Sequence, residues 1–169
     1  MDFHKKGVSV VVGSLVLITL VLVASLIVWT SVNQMIKERT EKATSCFGIA
    51  DKITINNKNT CYNSGTKEFY FSINREEIDI DELLISVAGQ GTSKSFRING
   101  KTSILNIKLY EGTYNAVLPL PEKEAGLTYI LDVSAESFKT PESIKIAPKI
   151  NGQQCDVCDE LLEIPLCPF

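Results

Sequence analysis

The five cysteines of this chain could form disulfides, bind a metal or carry out redox chemistry. They stand at positions 46, 61, 155, 158 and 167, so that Cys155 and Cys158 form a Cys-x-x-Cys pair. Such a pair can provide half of a tetrahedral zinc site or a redox-active dithiol. Zinc needs further ligands, and the only histidine is His4, at the far end of the sequence. A thioredoxin-like redox pair needs a βαβ setting, which the sequence lacks. We therefore predict structural disulfides, no metal site and no cofactor.

The disulfide candidates are Cys46, Cys61, Cys155 and Cys167, which leaves Cys158 as the unpaired candidate. Pairing Cys46 with Cys61 and Cys155 with Cys167 would close two short loops. A loop of about 15 residues is worth on the order of 3 kcal/mol in the chain-entropy treatment. The pairing stays open, because any four cysteines can be joined in about three ways and any one of the five can be the free one.

Side chains for acid–base or nucleophilic catalysis are few. A Ser-His-acid hydrolase uses a histidine as its general base, and His4 precedes a long apolar stretch that separates it from the rest of the chain. The sequence also has no Gly-rich phosphate-binding loop. We therefore predict that the protein is not an enzyme.

The charged residues do not indicate a ligand. The acidic segment at residues 76–82, EEIDIDE, could hold calcium, but it lacks the spacing and the glycine of an EF-hand loop. We interpret it as a solvated connection. The chain has a formal net charge of −3, and no basic patch is interleaved with aromatic residues, so no nucleic-acid partner is expected.

An uncharged stretch near the N-terminus determines the organisation of the chain. No ionisable side chain lies between Gly7 and Ile36. About 20 apolar residues in a helix, at ~1.5 Å each, cross the ~30 Å hydrocarbon core of a bilayer. A secretory signal peptide has a shorter apolar region of about 7–15 residues, followed by a small-residue cleavage site. The sequence therefore predicts one helix from about residue 8 to residue 44, within an N-terminal segment 8–45.

Alternating apolar residues follow the helix and predict eight or nine short strands separated by turns. Their spacing of roughly ten residues is typical of an antiparallel β-sandwich, immunoglobulin-like, or of a β-barrel. We predict this β-rich domain over residues 46–150 and a cysteine-containing tail over residues 151–169, which makes the fold class α+β. The predicted inward positions are Ile53, Ile55, Phe69, Phe71, Ile73, Phe96, Ile98, Leu105, Ile107, Leu109, Tyr114, Ala116, Leu118, Leu127, Tyr129, Leu131, Val133, Ile144 and Ile146.

The start of the chain, Lys5-Lys6-Gly7-Val8 and the apolar residues after it, resembles the class III signal sequence of archaeal type IV pilins and archaellin-like proteins. The resemblance implies that a prepilin peptidase cleaves between Gly7 and Val8, so that residues 1–7 are a leader. Val12 stands where bacterial type IV pilins have a glutamate, which places the resemblance with the archaeal branch.

The resemblance also implies a function and partners. The protein is expected to be a structural subunit of a cell-surface filament, with adhesion as its role. Its partners would be other copies of itself, the peptidase and the assembly machinery. Before assembly the helix would lie in the cytoplasmic membrane, with the C-terminal domain outside. Ser9 and Gly13 form a small-xxx-small pair that would let helices approach closely, and Cys158 could be free or link neighbouring subunits.

A second function shares these sequence features. A single-pass membrane anchor carrying an extracellular β-domain could act as a binding module, or as a minor component of a pilus machine, without forming filaments.

Overall fold

A computed structural model of the protein describes residues 4–46, 48–49 and 51–168 and, within the helix, the side chains of residues 12–37. The chain divides into two units, Met1–Thr44 and Ser45–Phe169. The first is a helix and the second is an antiparallel, sandwich-like β-domain, so the α+β prediction is confirmed.

Helix α1 runs from His4 to Ser45. Its 42 residues contain no proline, and at ~1.5 Å per residue the helix is about 63 Å long. The structure thus confirms a single helix and begins it four residues earlier than residue 8, where the sequence predicts its start.

The β-domain contains two five-stranded sheets. The first sheet has the order β1-β3-β7-β6, and β2 also pairs with β3; the second has the order β10-β8-β4-β5, and β9 also pairs with β8. All of these strand pairs are antiparallel. The strands are β1 Ile53–Ile55, β2 Cys61–Asn63, β3 Glu68–Arg75, β4 Glu82–Gly89, β5 Thr92–Ile98, β6 Ile107–Leu109, β7 Ala125–Asp132, β8 Ser143–Ile150, β9 Gln153–Gln154 and β10 Asp159–Leu161.

The core lies between the sheets and follows the predicted alternation of apolar residues. Phe69, Phe71 and Tyr129 are fully buried. The Phe71 ring centroid lies 5.5 Å from that of Phe69 and 5.4 Å from that of Tyr129. The buried Tyr129 hydroxyl donates to the Pro119 carbonyl at 2.8 Å, which satisfies the polar group that burial removes from water.

The strand predicted at residues 114–118 does not form. The described residues there have only an isolated bridge between Ser103 and Val117. Asn115 has a φ of 63°, which is incompatible with extended β-structure. Leu118 is nevertheless fully buried, so its inward position was predicted correctly. The extended backbone was predicted wrongly, as was the inward position of Tyr114, whose hydroxyl donates to Glu68.

The strand around Ile107 is also shorter than predicted. Asn106 has a φ of 64°, and β6 therefore begins only at Ile107. Leu105, which the alternation placed on the same inward face, is 71% exposed.

Strand β8 passes through Pro148, where the sequence predicts its end. Pro148 lies opposite Leu83 of β4, while its carbonyl accepts from Cys155 N at 2.9 Å. In a strand the N–H and C=O of one residue point to the same neighbour, so the N–H that proline lacks would face the segment at Cys155 and not β4. The β4–β8 ladder can therefore continue past the proline.

The segment at residues 151–169, predicted as a tail, contributes β9 and β10 to the second sheet. It also contacts the first sheet, since Tyr62 N donates to Pro165 O at 2.8 Å and Cys167 N donates to Tyr62 O at 2.9 Å. The tail therefore packs as part of the β-domain.

Candidate functional site

The exposed surface of α1 is the largest apolar feature of the described residues. Within residues Val12–Lys37, an 18-residue window has a mean hydropathy of 2.6, and none of that window is buried. Leu20 and Trp29 are each 66% exposed. Soluble monomers rarely expose a continuous apolar patch larger than a few hundred Å², so this surface requires an apolar environment. It is of the kind that anchors a protein in a membrane or acts as a signal.

Four hydroxyl groups on this surface are satisfied within the helix itself. Each donates to a carbonyl three or four residues earlier, so none needs water or a partner chain. Hydroxyl groups that are paired in this way are suited to lipid or to the interior of a helical assembly. The bonds are Thr19 to Val16 O at 2.9 Å, Ser25 to Val21 O at 2.8 Å, Thr30 to Ile27 O at 2.9 Å and Ser31 to Ile27 O at 2.9 Å.

Of the two predicted helix-packing residues, the structure describes the surroundings of Gly13 but not the side chain of Ser9. A Cβ added to Gly13 would meet no other atom within 4 Å, so this position leaves room for the close approach of another helix. The side chain of Ser9 lies outside the described residues, as do those of the processing-site residues Lys5, Lys6 and Val8; their backbone, with that of Gly7, is helical.

The four candidate cysteines form two disulfides, but with different partners from the short-range pairs considered first. Cys46 is bonded to Cys155 and Cys61 to Cys167, with Cα–Cα distances of 5.4 and 5.0 Å. The pairing of Cys46 with Cys61 and of Cys155 with Cys167 was therefore wrong. The reason is topological, because the C-terminal segment pairs with β2, which carries Cys61.

These bridges close loops of 109 and 106 residues. A loop of about 100 residues is worth on the order of 4.7 kcal/mol in the chain-entropy treatment. Disulfides persist in oxidising compartments, so the pair indicates that the β-domain is extracellular.

Cys158 takes part in no disulfide. Its Sγ donates to the carbonyls of Ile53 and Ile146, each at 3.5 Å, and burial raises the pKa of the thiol to about 11. At neutral pH the side chain is therefore a thiol, and the thiolate is the form that attacks disulfides and binds metals. Since Cys155 is bonded to Cys46, the Cys-x-x-Cys pair acts neither as a dithiol nor as two zinc ligands.

The other metal candidates are not brought together. Within the described part of the chain, no three His, Cys, Asp or Glu side chains are grouped so that they could hold a metal ion. In the acidic segment at residues 76–82, Glu76 pairs with Lys52 at 2.5 Å and Asp79 with Lys123 at 2.8 Å. The segment connects β3 to β4 and ends at the first residue of β4, and two of its carboxylates, Glu76 and Asp79, are paired with surface lysines.

A carboxylate on the outer face of the first sheet has the most unusual electrostatics. Glu68 accepts from Tyr114 at 2.7 Å and from Tyr70 at 2.8 Å, and Lys108 Nζ lies 3.1 Å from it. Burial opposes ionisation, but the bonds from Tyr114, Tyr70 and Lys108 outweigh it and lower the pKa of Glu68 to about 2. Lys108 Nζ also lies 4.5 Å from the Tyr114 ring centroid. We call these four residues the Glu68 cluster.

Sequence reasoning missed the Glu68 cluster. Its members come from β3, from β6 and from the loop after β6, which the fold brings together across β7. The available signal was polar and aromatic side chains at the outward positions of β3 and β6. Hydrogen bonds inside the cluster use both carboxylate oxygens of Glu68. We therefore interpret the cluster as a structural contact that connects β3 to β6 and to the loop after it.

No protein-family model, curated protein or solved structure matches the chain.

Proposed function

We propose that the protein is a structural subunit of an archaeal type IV pilus-like surface filament, assembled through α1 and displaying the β-domain outward for adhesion. The observation that carries the proposal is the exposed apolar surface over residues Val12–Lys37, which directly follows the leader-like Lys5-Lys6-Gly7. We assign no catalytic activity to it.

Removal of the leader gives such a helix two successive environments. With Lys5 and Lys6 attached, the N-terminus is held on the cytoplasmic side of the membrane. Extracting the helix would cost about 2.5–3.5 kcal/mol for each lysine on insertion scales. After cleavage between Gly7 and Val8 the helix can leave the bilayer for an equally apolar environment. Helices of other copies supply that environment in a filament core.

Partners and location follow from this pathway. The prepilin peptidase acts on the membrane-inserted chain, and the assembly machinery then adds the mature chain to the growing filament. The final location is a cell-surface filament, which accords with an extracellular, disulfide-bonded domain.

The length of α1 also favours an alternative. The predominantly apolar span Val12–Lys37, 26 residues long, is sufficient to hold the chain in a membrane permanently. In that case the β-domain would be an anchored binding module or a minor component of a pilus machine.

The two functions predict different products in a host that has a prepilin peptidase. We expect surface filaments, sheared from cells expressing the full-length chain, to consist of a subunit whose N-terminal residue is Val8. A chain found only in membranes and still carrying residues 1–7 would favour the anchored module.

Two valine substitutions separate processing from packing. Gly7→Val is expected to block cleavage and to leave the chain in the membrane. The matched control Gly13→Val should still be cleaved before Val8 but should form fewer filaments, because its side chain occupies the open position on the helix. Normal filaments from Gly7→Val would contradict the assigned cleavage site.

A further inference from the structure

Three polar side chains meet near β5 and β6, which are the strands at one end of each sheet. Lys94 lies on β5, Asn106 directly precedes β6, and Glu136 follows the short 3-10 turn after β7. Lys94 is on the same strand face as the buried Phe96 and Ile98, so its side chain is directed toward the space between the sheets. The Glu136 side chain is only 8% exposed.

One carboxylate oxygen contacts both an amine and an amide. Lys94 Nζ forms an ion pair with Glu136 Oε1, and Asn106 Nδ2 donates to the same oxygen at 3.4 Å. The backbone holds these groups in place, because Asp132 N donates to Asn106 O at 2.8 Å and Glu136 N donates to Val133 O at 3.0 Å.

We propose that Lys94 and Asn106 are joined by an intramolecular isopeptide bond, formed with Glu136 as the proton-transfer residue. The Lys94 ammonium gives a proton to Glu136 and becomes a neutral amine. Its Nζ then attacks Asn106 Cγ and forms the new N–C bond. Glu136 protonates Nδ2, the Cγ–Nδ2 bond breaks, and nitrogen leaves with the surplus proton as ammonium. Lysine ammonium and asparagine amide are converted to a secondary amide and ammonium, and Glu136 ends as the carboxylate.

A shared contact favours this reaction. Lys94 Nζ and Asn106 Nδ2 both contact Glu136 Oε1, and well-oriented groups reach effective concentrations of about 10⁵ M and above. The leaving nitrogen already contacts the group that protonates it, as general acid catalysis requires.

Other lysine–carboxylate pairs of the described residues lack this combination. Lys145 pairs with Glu160 at 2.7 Å, with both side chains more than 40% exposed. Lys108 pairs with Glu68, whose other contacts are tyrosine hydroxyls, and a hydroxyl has no acyl carbon to attack. Lys145 is therefore a suitable control position.

The bond would link the two sheets at an edge that no ladder of backbone hydrogen bonds closes. It requires only the folded β-domain and does not depend on filament formation. Its failure would leave the proposed function unaffected.

The test is the mass of the full-length chain, purified in detergent, reduced and denatured. We expect a mass lower by one ammonia molecule than that calculated for the sequence of the purified chain, whether or not residues 1–7 have been removed. Tandem mass spectrometry of a tryptic digest should recover the peptide containing Lys94 joined to the peptide containing Asn106, with no cleavage after Lys94. Lys94→Arg, Asn106→Ala and Glu136→Gln should each restore the full mass, and Lys145→Arg should keep the loss.

Two outcomes would overturn the proposal. One is a wild-type chain at the full mass of its sequence. The other is a loss of ammonia located at Asn99-Gly100 or Asn151-Gly152, where an asparagine can cyclise onto its own backbone, with Lys94 still cleaved by trypsin. Both outcomes are measured on the wild-type chain. The test therefore remains decisive even if one of the variants fails to fold.

Discussion

At the scale of single residues, the β-domain carries two titratable groups whose surroundings fix their protonation in opposite ways. Glu68 is held ionised by Tyr114, Tyr70 and Lys108. Cys158 is held protonated by burial between two backbone carbonyls. Both states make a side chain a stable structural component and a poor reactant.

Glu68 should contribute stability that depends on pH. Its pKa is about 2 in the folded chain, against an ordinary 4.5, so its contribution is fully present above pH 4.5 and is lost as the pH falls toward 2. After allowance for solvent screening, this is on the order of 1–2 kcal/mol. Thermal unfolding of the full-length chain in detergent, followed by circular dichroism, should show a smaller acid destabilisation for Glu68→Gln. Glu160→Gln, at an exposed ion pair, is the control, and equal acid sensitivity of wild type and Glu68→Gln would contradict the assignment.

Cys158 should be unreactive in the folded chain. Because its pKa is about 11, little thiolate is present at neutral pH. We expect iodoacetamide to modify it at least about tenfold more slowly in the native chain than in the unreduced, denatured chain. Equal rates in the two states would show that the thiol is accessible and ionised.

At the scale of elements, the disulfides connect segments that are remote in sequence. Peptide mapping without reduction should recover Cys46 linked to Cys155 and Cys61 linked to Cys167, with Cys158 alkylated. Replacing Cys61 and Cys167 together with serine should destabilise the domain by about 2–5 kcal/mol, measured by thermal unfolding. Cys158→Ser, which leaves both bridges intact, should cost less. A peptide linking Cys46 to Cys61 would refute this connectivity.

The elements that the sequence predicts best are those whose large apolar side chains enter the core at every second position, even where the residue between them is also buried. Strands β3 and β7 bury Phe69, Phe71, Tyr129 and Leu131 at every second position, and a two-residue period is a direct local signal. The strand predicted around Asn115 was wrong because one residue with a left-handed backbone turns the chain without changing its hydrophobic pattern.

What depends on contacts between distant segments could not be predicted. Strand β10 is three residues long and includes Asp159 and Glu160, so only its pairing with β8 defines it. The disulfide partners, the Glu68 cluster and the group at Lys94 depend on strand order in the same way. A single sequence contains the residue types for these sites but not which strands are adjacent.

At the scale of the whole molecule, apolar surface is distributed very unequally between the two units. The β-domain buries most of its large apolar side chains in one main core, whereas residues Val12–Lys37 expose theirs. The domain is thus stabilised by its own contacts, and the helix depends on surroundings that another molecule or a bilayer must provide.

A charge in the middle of α1 should make it unfavourable for the helix to enter a bilayer or a helical assembly. Leu20→Lys places an ammonium where the side chain is 66% exposed, at an insertion cost of about 2.5–3.5 kcal/mol. We expect a several-fold lower yield of membrane-inserted chain and of sheared filaments, both measured by immunoblot. Leu20→Ile is the matched control, and unchanged yields from Leu20→Lys would show that this surface does not need an apolar environment.

The bridge between Cys46 and Cys155 has a mechanical consequence. Cys46 is the residue immediately after α1, so tension applied along the helix enters the domain through a covalent bond to the start of the C-terminal segment. When the opposing force acts on the C-terminal segment, the chain between the two cysteines, with strands β1 to β9, forms a closed loop outside the covalent load path. A pulled subunit therefore cannot unravel strand by strand from its N-terminal side, and oxidised chains should extend far less under force than reduced ones.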